Sequence, residues 1–428
     1  MKKRIITMVT GLALALGIGI TASACSSENS ASPKKYWTNT QQFVDMVNSD
    51  PKLKTMLQES IDKAKAIVPD KNMNPGQTID EFYAFLNWSE KASSWNILEN
   101  IDKTRPHLME RIDQSLVYFY FIFDQELPDL KDAGQYRPSL QYYEPIVSWM
   151  VKFTKDWGVW LSTQDSWSDD YLKIAEADPR FGVSKGWYED SKNWHSFNDF
   201  FARKLKDPSM RPISNADMVS PADSEPQGVW SIDKNSKISR ITAGDDSPNS
   251  VDIKSENFES AADIVGPDSK YKNDFAGGTL THTFLNVQDY HRYHFPIDGT
   301  VKEINCIPAA DAIGGVVTWD KKKEKYILSS TRPDWESIET RCTAIIDNPD
   351  YGLVALIPVG MSQVSSVNFE DNVKVGATFK KGDPLGWFYF GGSDFVTIFQ
   401  KGIKVDLIPQ PNQHILMGEP YAKLTVEK

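Results

Sequence analysis

The chain has 428 residues, 40% of them hydrophobic and 25% charged, with a formal net charge of −11. Such a length can bury two or three substantial cores. The acidic balance argues against nucleic acid as a partner and against direct adhesion to anionic lipid headgroups.

Lys2, Lys3 and Arg4 precede an apolar run over 5–20 and small residues up to Ala24, the pattern of a bacterial secretory signal peptide at 1–24. Ala22-Ser-Ala-Cys25 is similar to a lipobox, with Ala22 where Leu is usual, so Cys25 is expected to become a lipidated N-terminus. Residues 25–35 then form a Ser-rich tether. This places the protein outside the cytoplasm, attached to a membrane through its lipid anchor. No later run approaches the ~20 apolar residues that span a bilayer. The longest, 116–123, reads as core. Beyond Cys25 only Cys306 and Cys342 remain, too few ligands to support a metal site. A disulfide between them and two free buried thiols both stay open.

Residues 36–187 read as a helical N-terminal domain. Thr78-Ile-Asp-Glu81 follows Pro75-Gly76 and precedes Phe82, Phe85 and Leu86, a capping-box start. Pro145 opens a run with Trp149, Phe153, Trp157 and Trp160, whose spacing puts them on one helical face. An aromatic stripe of this kind is expected to be core rather than the lining of a ligand pocket. His107 stands alone, and nothing in this half groups the ionisable side chains that chemistry needs.

The texture changes after Gly186. Phe197-Asn-Asp-Phe-Phe-Ala-Arg-Lys-Leu205 suits a short amphipathic helix, and from Val219 onward short β-prone runs alternate with Gly, Pro, Asn and Asp. Residues 195–428 are therefore expected to form a mainly antiparallel, β-rich domain, making the chain an α+β protein. Asp223 ends a strand in Val219-Ser-Pro-Ala-Asp-Ser224, and Asp289-Tyr-His-Arg-Tyr-His294 closes a run that begins at Thr279. His291 and His294 share a face if helical and oppose each other if extended. Residues 352–360 read as a buried strand.

Near the end, two apolar runs at 385–390 and 395–399 flank Gly391-Gly392-Ser393-Asp394. The plain interpretation is a β-hairpin turn. A sharper one is self-cleavage. The Ser393 hydroxyl attacks the preceding carbonyl, the amide becomes an ester, and elimination leaves a new N-terminal ketone. That chemistry needs a base near the hydroxyl and donors for the oxyanion. Asp223, His294 and Ser393 supply a carboxylate, an imidazole and a hydroxyl. Any chain of this length contains such an inventory, so the surrounding words carry more weight.

Those words are Phe197 through Leu205, Arg211-Pro212, Ser220-Pro-Ala-Asp223, Asp289 through His294, Ile357-Pro-Val-Gly360, Lys381-Gly-Asp-Pro-Leu-Gly386 and Gly391-Gly-Ser393. In that order they resemble the phosphatidylserine decarboxylase family over about 195–428. The helical half more loosely resembles the N-terminal extension of fungal L-tryptophan decarboxylases, chiefly over 155–187. The resemblance implies a pyruvoyl-dependent decarboxylase that cuts itself between Gly392 and Ser393, giving two chains from one precursor. It implies that His294 is the base on Ser393, that Asp223 orients and charges that imidazole, and that the pyruvoyl group made from Ser393 takes the substrate amine as a Schiff base. His291 is the implied proton donor to the carbanion.

The chain differs from the family pattern at Ser224, where Gly is usual, at Val287, where Pro is usual, and at Asp394, where Thr is usual. Asp394 is expected to place a carboxylate beside the cofactor, where it would either raise the basicity of a nearby His and help cleavage or repel an anionic substrate such as phosphatidylserine. The favoured substrate is thus a free amino acid, aromatic ones included. The alternatives are phosphatidylserine, an aminophospholipid, and a non-enzymatic binding lipoprotein built on a dead decarboxylase fold. A homo-oligomer stays open.

Overall fold

The computed structural model describes residues 36–92, 114, 117–133, 137–240, 251–253, 256–258, 260–307, 316–329, 340–360, 366–391 and 393–427. The signal peptide, Cys25, the tether, His107 and Gly392 lie outside the described residues.

The helical part is built from α1 (Thr38–Ser49), α2 (Pro51–Ile67), α3 (Ile79–Ser89), α4 (Ile146–Trp160) and α5 (Asp169–Ala177). Asp50 starts α2, its carboxylate accepting from the N–H groups of Lys52 and Leu53 at 2.9 and 3.1 Å, with Pro51 at the first helical position. Thr78 starts α3 in the same way, through Glu81 N at 3.2 Å. The aromatic stripe is core: Trp149, Phe153 and Trp157 are buried along α4. Phe43 of α1 is fully buried at the centre, with ring centroids 4.5 Å from Trp149, 5.9 Å from Phe123 and 6.1 Å from Phe82. The buried Trp149 indole N–H donates to Asn39 O at 2.8 Å, so its polar edge carries no desolvation penalty.

After the short helix α6 (Phe197–Phe201) come β1 (Glu225–Ile232), β2 (Ile238–Arg240), helix α7 (Ala261–Val265), β3 (Thr279–Leu285), β4 (Arg292–His294) and β5 (Gly299–Ile307). They are followed by β6 (Thr340–Asn348), β7 (Gly352–Gly360), β8 (Val367–Phe369), β9 (Thr378–Phe379), β10 (Pro384–Phe388) and β11 (Ser393–Phe399). The large antiparallel sheet has the order β9-β5-β6-β7-β11-β3-β1-β2, and a small sheet has the order β8-β10-β4. A third sheet joins Met218–Val219 to Pro420–Val426 and Ile403–Leu407. The fold is α+β, as expected.

β10 and β11 do not form a hairpin. β10 pairs with β8 and β4, whereas β11 pairs with β7 and β3, so Phe388 and Ser393 belong to different sheets. Every residue of β11 is buried, because the large sheet is covered on both faces. On one face α7 is held by Arg341, whose guanidinium donates to Ile264 O and Asp263 O at 2.9 and 2.8 Å, and Trp230, Val396 and Ile398 pack in the same cluster. The other face joins the core that the helices share. Asp124, whose carboxyl burial pushes well up, ties that part to the β-hairpin at 316–329 by accepting from Val317 N at 2.7 Å.

Cys306 and Cys342 are opposite each other in the β5–β6 ladder and are joined by a disulfide. Among the described residues no helix is long and apolar enough to cross a membrane, and no group of His, Cys, Asp and Glu could hold a metal ion.

Phe43→Ala should lose both transfer energy and ring packing, lowering stability by about 3–5 kcal/mol. The shift in urea midpoint at unchanged m-value measures this. A loss within experimental error would mean that this aromatic cluster does not anchor the helical part.

Candidate active site

The ladder between β4 and β10 ties the histidine segment to the strand that runs toward Ser393. Arg292, Tyr293 and His294 lie opposite Trp387, Gly386 and Pro384. On its other side β10 can lie this close to β8 because Gly386 lacks a side chain: a Cβ there would sit 1.9 Å from Asn368 O and 2.8 Å from the Tyr293 ring. From β4 the Tyr293 ring reaches Phe388 at 4.6 Å and Phe395 of β11 at 5.7 Å.

Ser393 opens β11, opposite Gly360 of β7 and Leu285 of β3. It is fully buried, and its Oγ has no hydrogen-bond partner among the described residues. A buried hydroxyl left in this state costs about 1–3 kcal/mol and calls for an explanation. Upstream, Gly391 has φ 145°, backbone that residues with a Cβ seldom adopt. Phe390 is fixed by its N–H, which donates to Asn198 Oδ1 at 3.0 Å, and by ring contacts with Phe197, Phe201 and Trp157.

His294 is buried, with Nδ1 2.9 Å from Gly382 O and Nε2 3.2 Å from the Tyr290 hydroxyl. A carbonyl only accepts, so Nδ1 carries the proton and Nε2 the lone pair, to which Tyr290 donates. Gly382 presents that carbonyl from φ 90°, where a Cβ would also meet Ile213 at 2.6 Å. Burial pushes the imidazole down to about 4, overriding the Gly382 carbonyl and the Asp223 carboxylate, which both act to raise it. The ring is neutral near pH 7 and keeps a basic nitrogen.

Asp223 does not hydrogen-bond to His294. Its carboxylate is gripped by Arg211, with Nε–Oδ1 at 2.8 Å and Nη2–Oδ2 at 2.5 Å, and Oδ1 also accepts from Met417 N at 2.9 Å. The imidazole is therefore oriented by Gly382 and Tyr290, and Asp223 reaches it only through its field. Sequence reasoning assigned no role to Arg211, Tyr290 or Gly382. All three lie inside the motif words, and the position of Tyr290, four residues before His294, was the one local signal.

His291 is fully buried and stacked on Phe201, with ring centroids 3.8 Å apart. Its Nδ1 is 2.9 Å from Asp289 O, which leaves Nε2 as the nitrogen able to exchange protons. Phe201 in turn contacts Phe390 at 5.3 Å, linking His291 to the segment before Ser393.

Asp394 corrects an expectation. Successive side chains of a strand point to opposite faces, so its carboxylate lies away from the Ser393 side chain. It sits 3.8 Å from His282 Nδ1, and the His282 ring packs on Trp230 at 5.0 Å. Asp394 is therefore no guide to the charge of the substrate.

A sequence profile of the phosphatidylserine decarboxylase family matches residues 197–423. The chain belongs to the phosphatidylserine decarboxylase family. The matched span includes Asp223, His291, His294 and Ser393. Decarboxylase iboD of Amanita muscaria is 29% identical over 290 residues, covering 60% of this chain and 78% of that protein. The phosphatidylserine decarboxylase proenzyme of Fusobacterium nucleatum is 26% identical over 311 residues, covering 69% of this chain and 94% of the relative. The L-tryptophan decarboxylase of Psilocybe cubensis is 27% identical over 248 residues, covering 54% and 53% respectively. The family is one of carboxy-lyases, and its tryptophan decarboxylase branch is among the chain's relatives.

The depressed His294 makes a pH prediction for this family member. Between about pH 6.5 and 4 the unfolded chain takes up a proton that the folded imidazole refuses, so stability falls as pH falls through that window. Near pH 5 this loss should be roughly 2 kcal/mol relative to pH 7. Asp289, raised to about 6 by burial, works in the opposite direction. The clean measurement is thus the difference between Ser393→Ala and Ser393→Ala/His294→Gln, which share the same chain connectivity, in urea unfolding at pH 7 and pH 5. Equal acid sensitivity in both would mean that His294 is not buried neutral.

Proposed function

We propose that the chain is a proenzyme that cuts itself between Gly392 and Ser393 and then decarboxylates a free amino acid, aromatic ones included. The observation that carries this reading is Ser393 Oγ, buried without a partner where the chain crosses between two sheets. The residues present fit a pyruvoyl group formed there.

With Nδ1 tied to Gly382, His294 Nε2 is the nitrogen that takes the Ser393 proton, in exchange for its bond from Tyr290. Asp223 stabilises the resulting imidazolium through its field. Oγ bonds to the Gly392 carbonyl carbon as the C–N bond breaks, and the freed nitrogen regains a proton. Elimination removes the Cα proton of residue 393 as the Gly392 carboxylate leaves, the resulting dehydroalanine tautomerises to an imine, and water then displaces the nitrogen as ammonia, leaving the ketone on residue 393. The pyruvoyl group supplies an electrophilic carbonyl for the substrate amine and a sink for the electron pair left by CO2. His291 Nε2 first takes up a proton from solvent and then hands it to the carbon that loses CO2, while Nδ1–H stays on the Asp289 carbonyl and Phe201 holds the ring.

One observation favours an amino acid: the relatives include an L-tryptophan decarboxylase. Phosphatidylserine is the second reading, favoured by the names of the bacterial relatives.

His294→Ala should remain folded, uncut and inactive, and Asp223→Asn should do the same less completely. His291→Ala should still cut itself but release CO2 on the order of 100-fold more slowly. A denaturing gel beside a carboxyl-labelled release assay reads both effects. If His291→Ala stays uncut while His294→Ala matures, the roles are reversed. In the same assay free amino acids, tryptophan included, should outpace phosphatidylserine vesicles, and turnover of the lipid alone would select the second reading.

A further inference from the structure

Beyond β11 the chain returns to the site. Residues 414–417 run alongside the Asp223 turn, where Ser224 and Ile415 exchange backbone hydrogen bonds of 2.9 Å. Met417 N reaches Asp223 Oδ1, and His414 Nε2 lies 2.8 Å from Asp289 Oδ1. One short segment C-terminal to the scissile bond therefore holds two buried carboxylates of the segment N-terminal to it.

Asp289 is the keystone of the turn that carries His291. Its Oδ2 accepts from Asn286 N at 2.7 Å and closes the turn from below. Its carbonyl oxygen contacts His291 Nδ1 at 2.9 Å and accepts from Arg203 Nη2 at 2.9 Å. Arg203 is fully buried and donates also to Gln288 O at 2.7 Å, with its guanidinium over the Tyr188 ring. Among the described residues no carboxylate pairs with it, so its charge is spent on backbone carbonyls and aromatic faces. The imidazole of His291 thus takes its tautomer from a carbonyl whose own residue is pinned from two sides, by Arg203 and by His414.

We propose that His414 is a positioning residue for His291: its bond to Asp289 holds the turn at 286–291 so that His291 Nδ1 stays on the Asp289 carbonyl and Nε2 faces the reacting centre. This rests on the decarboxylase reading and on His291 acting after cleavage. Once the chain is cut, the bond joins the two products, so residues 393–428 contribute more than the reactive terminus. The Asp289 side chain is almost fully buried, whereas that of His414 is 40% exposed, which lets the position be changed without opening a cavity.

The charged groups around the pair are Asp223, Glu225, Arg203 and Arg211. Burial raises the Asp289 carboxyl to about 6, and His414 opposes that rise; the bond to Asp289 raises the His414 imidazole in turn. As pH falls through about 6 the carboxylate takes up a proton and the clamp loses its anionic half. Removing the His414 charge lets Asp289 rise further, so the clamp fails at a higher pH.

The test compares wild type, His414→Gln, which keeps a donor without the charge, and His414→Ala. All three should cut themselves to the same extent. The maximal rate of CO2 release should fall roughly 10-fold in the Ala variant with KM within about twofold, and the acid limb of kcat should move to higher pH in the order wild type, Gln, Ala. Nitrogen chemical shifts of the His291 ring, assigned with a His291→Gln control, should show the Nδ1–H form in wild type and a mixture in His414→Ala. Taken in an uncut Ser393→Ala background, those shifts decide the clamp even if the protein releases no CO2. Superimposed pH profiles, or an unchanged His291 tautomer in His414→Ala, would overturn the proposal. So would failure of the His414 variants to mature, which would assign the residue to self-cleavage. Should the Ala chain not fold, the Gln chain carries the comparison.

Discussion

The site depends on one constraint: the chain on the two sides of the 392–393 bond is anchored in two different sheets. β10 is held by β8 and β4, and β11 by β7 and β3. Neither ladder needs the other to keep its register. In the proposed self-cleavage, breaking the connection would therefore leave each strand in place, with Ser393 at the end of a strand buried on both faces. A hairpin would behave differently, because its two strands would rely on the turn for their alignment.

Burial also sets the acid–base chemistry. A neutral imidazole with a fixed tautomer is a competent base, and the surroundings of His294 enforce both properties. The balance is delicate, since Asp223 is close enough to favour the protonated ring. Arg211 restrains it: the bidentate pair ties up the carboxylate and offsets much of its charge, while Met417 N satisfies a further lone pair. A buried pair of this sort does little for net stability. In the proposed mechanism it would keep Asp223 available to respond when His294 gains a proton, without charging the imidazole beforehand.

Much of this was legible in the sequence because it is local. The strand at 352–360, the Thr78 start of α3 and the core stripe of α4 follow from residue type and spacing. The motif words place Asp223, His291, His294 and Ser393 in a matched family span. What was missed is contact between distant segments. Gly382, a turn glycine in sequence, becomes the acceptor that sets the His294 tautomer, and His414 meets Asp289 across 125 positions. The pairing of β10 and β11 with other strands could not be read from their proximity in the chain. The face of Asp394 was readable in principle: once Ser393 begins a strand, the next side chain must point the other way.

The central claim is that Ser393 is consumed in breaking its own peptide bond. Intact mass of the purified wild-type protein under denaturing conditions tests it most directly. The account predicts a C-terminal chain of residues 393–428 that starts with a ketone in place of serine and shifts in mass with hydroxylamine. An uncut chain with Ser393 intact, or a fragment that begins with an ordinary serine amine, would contradict it.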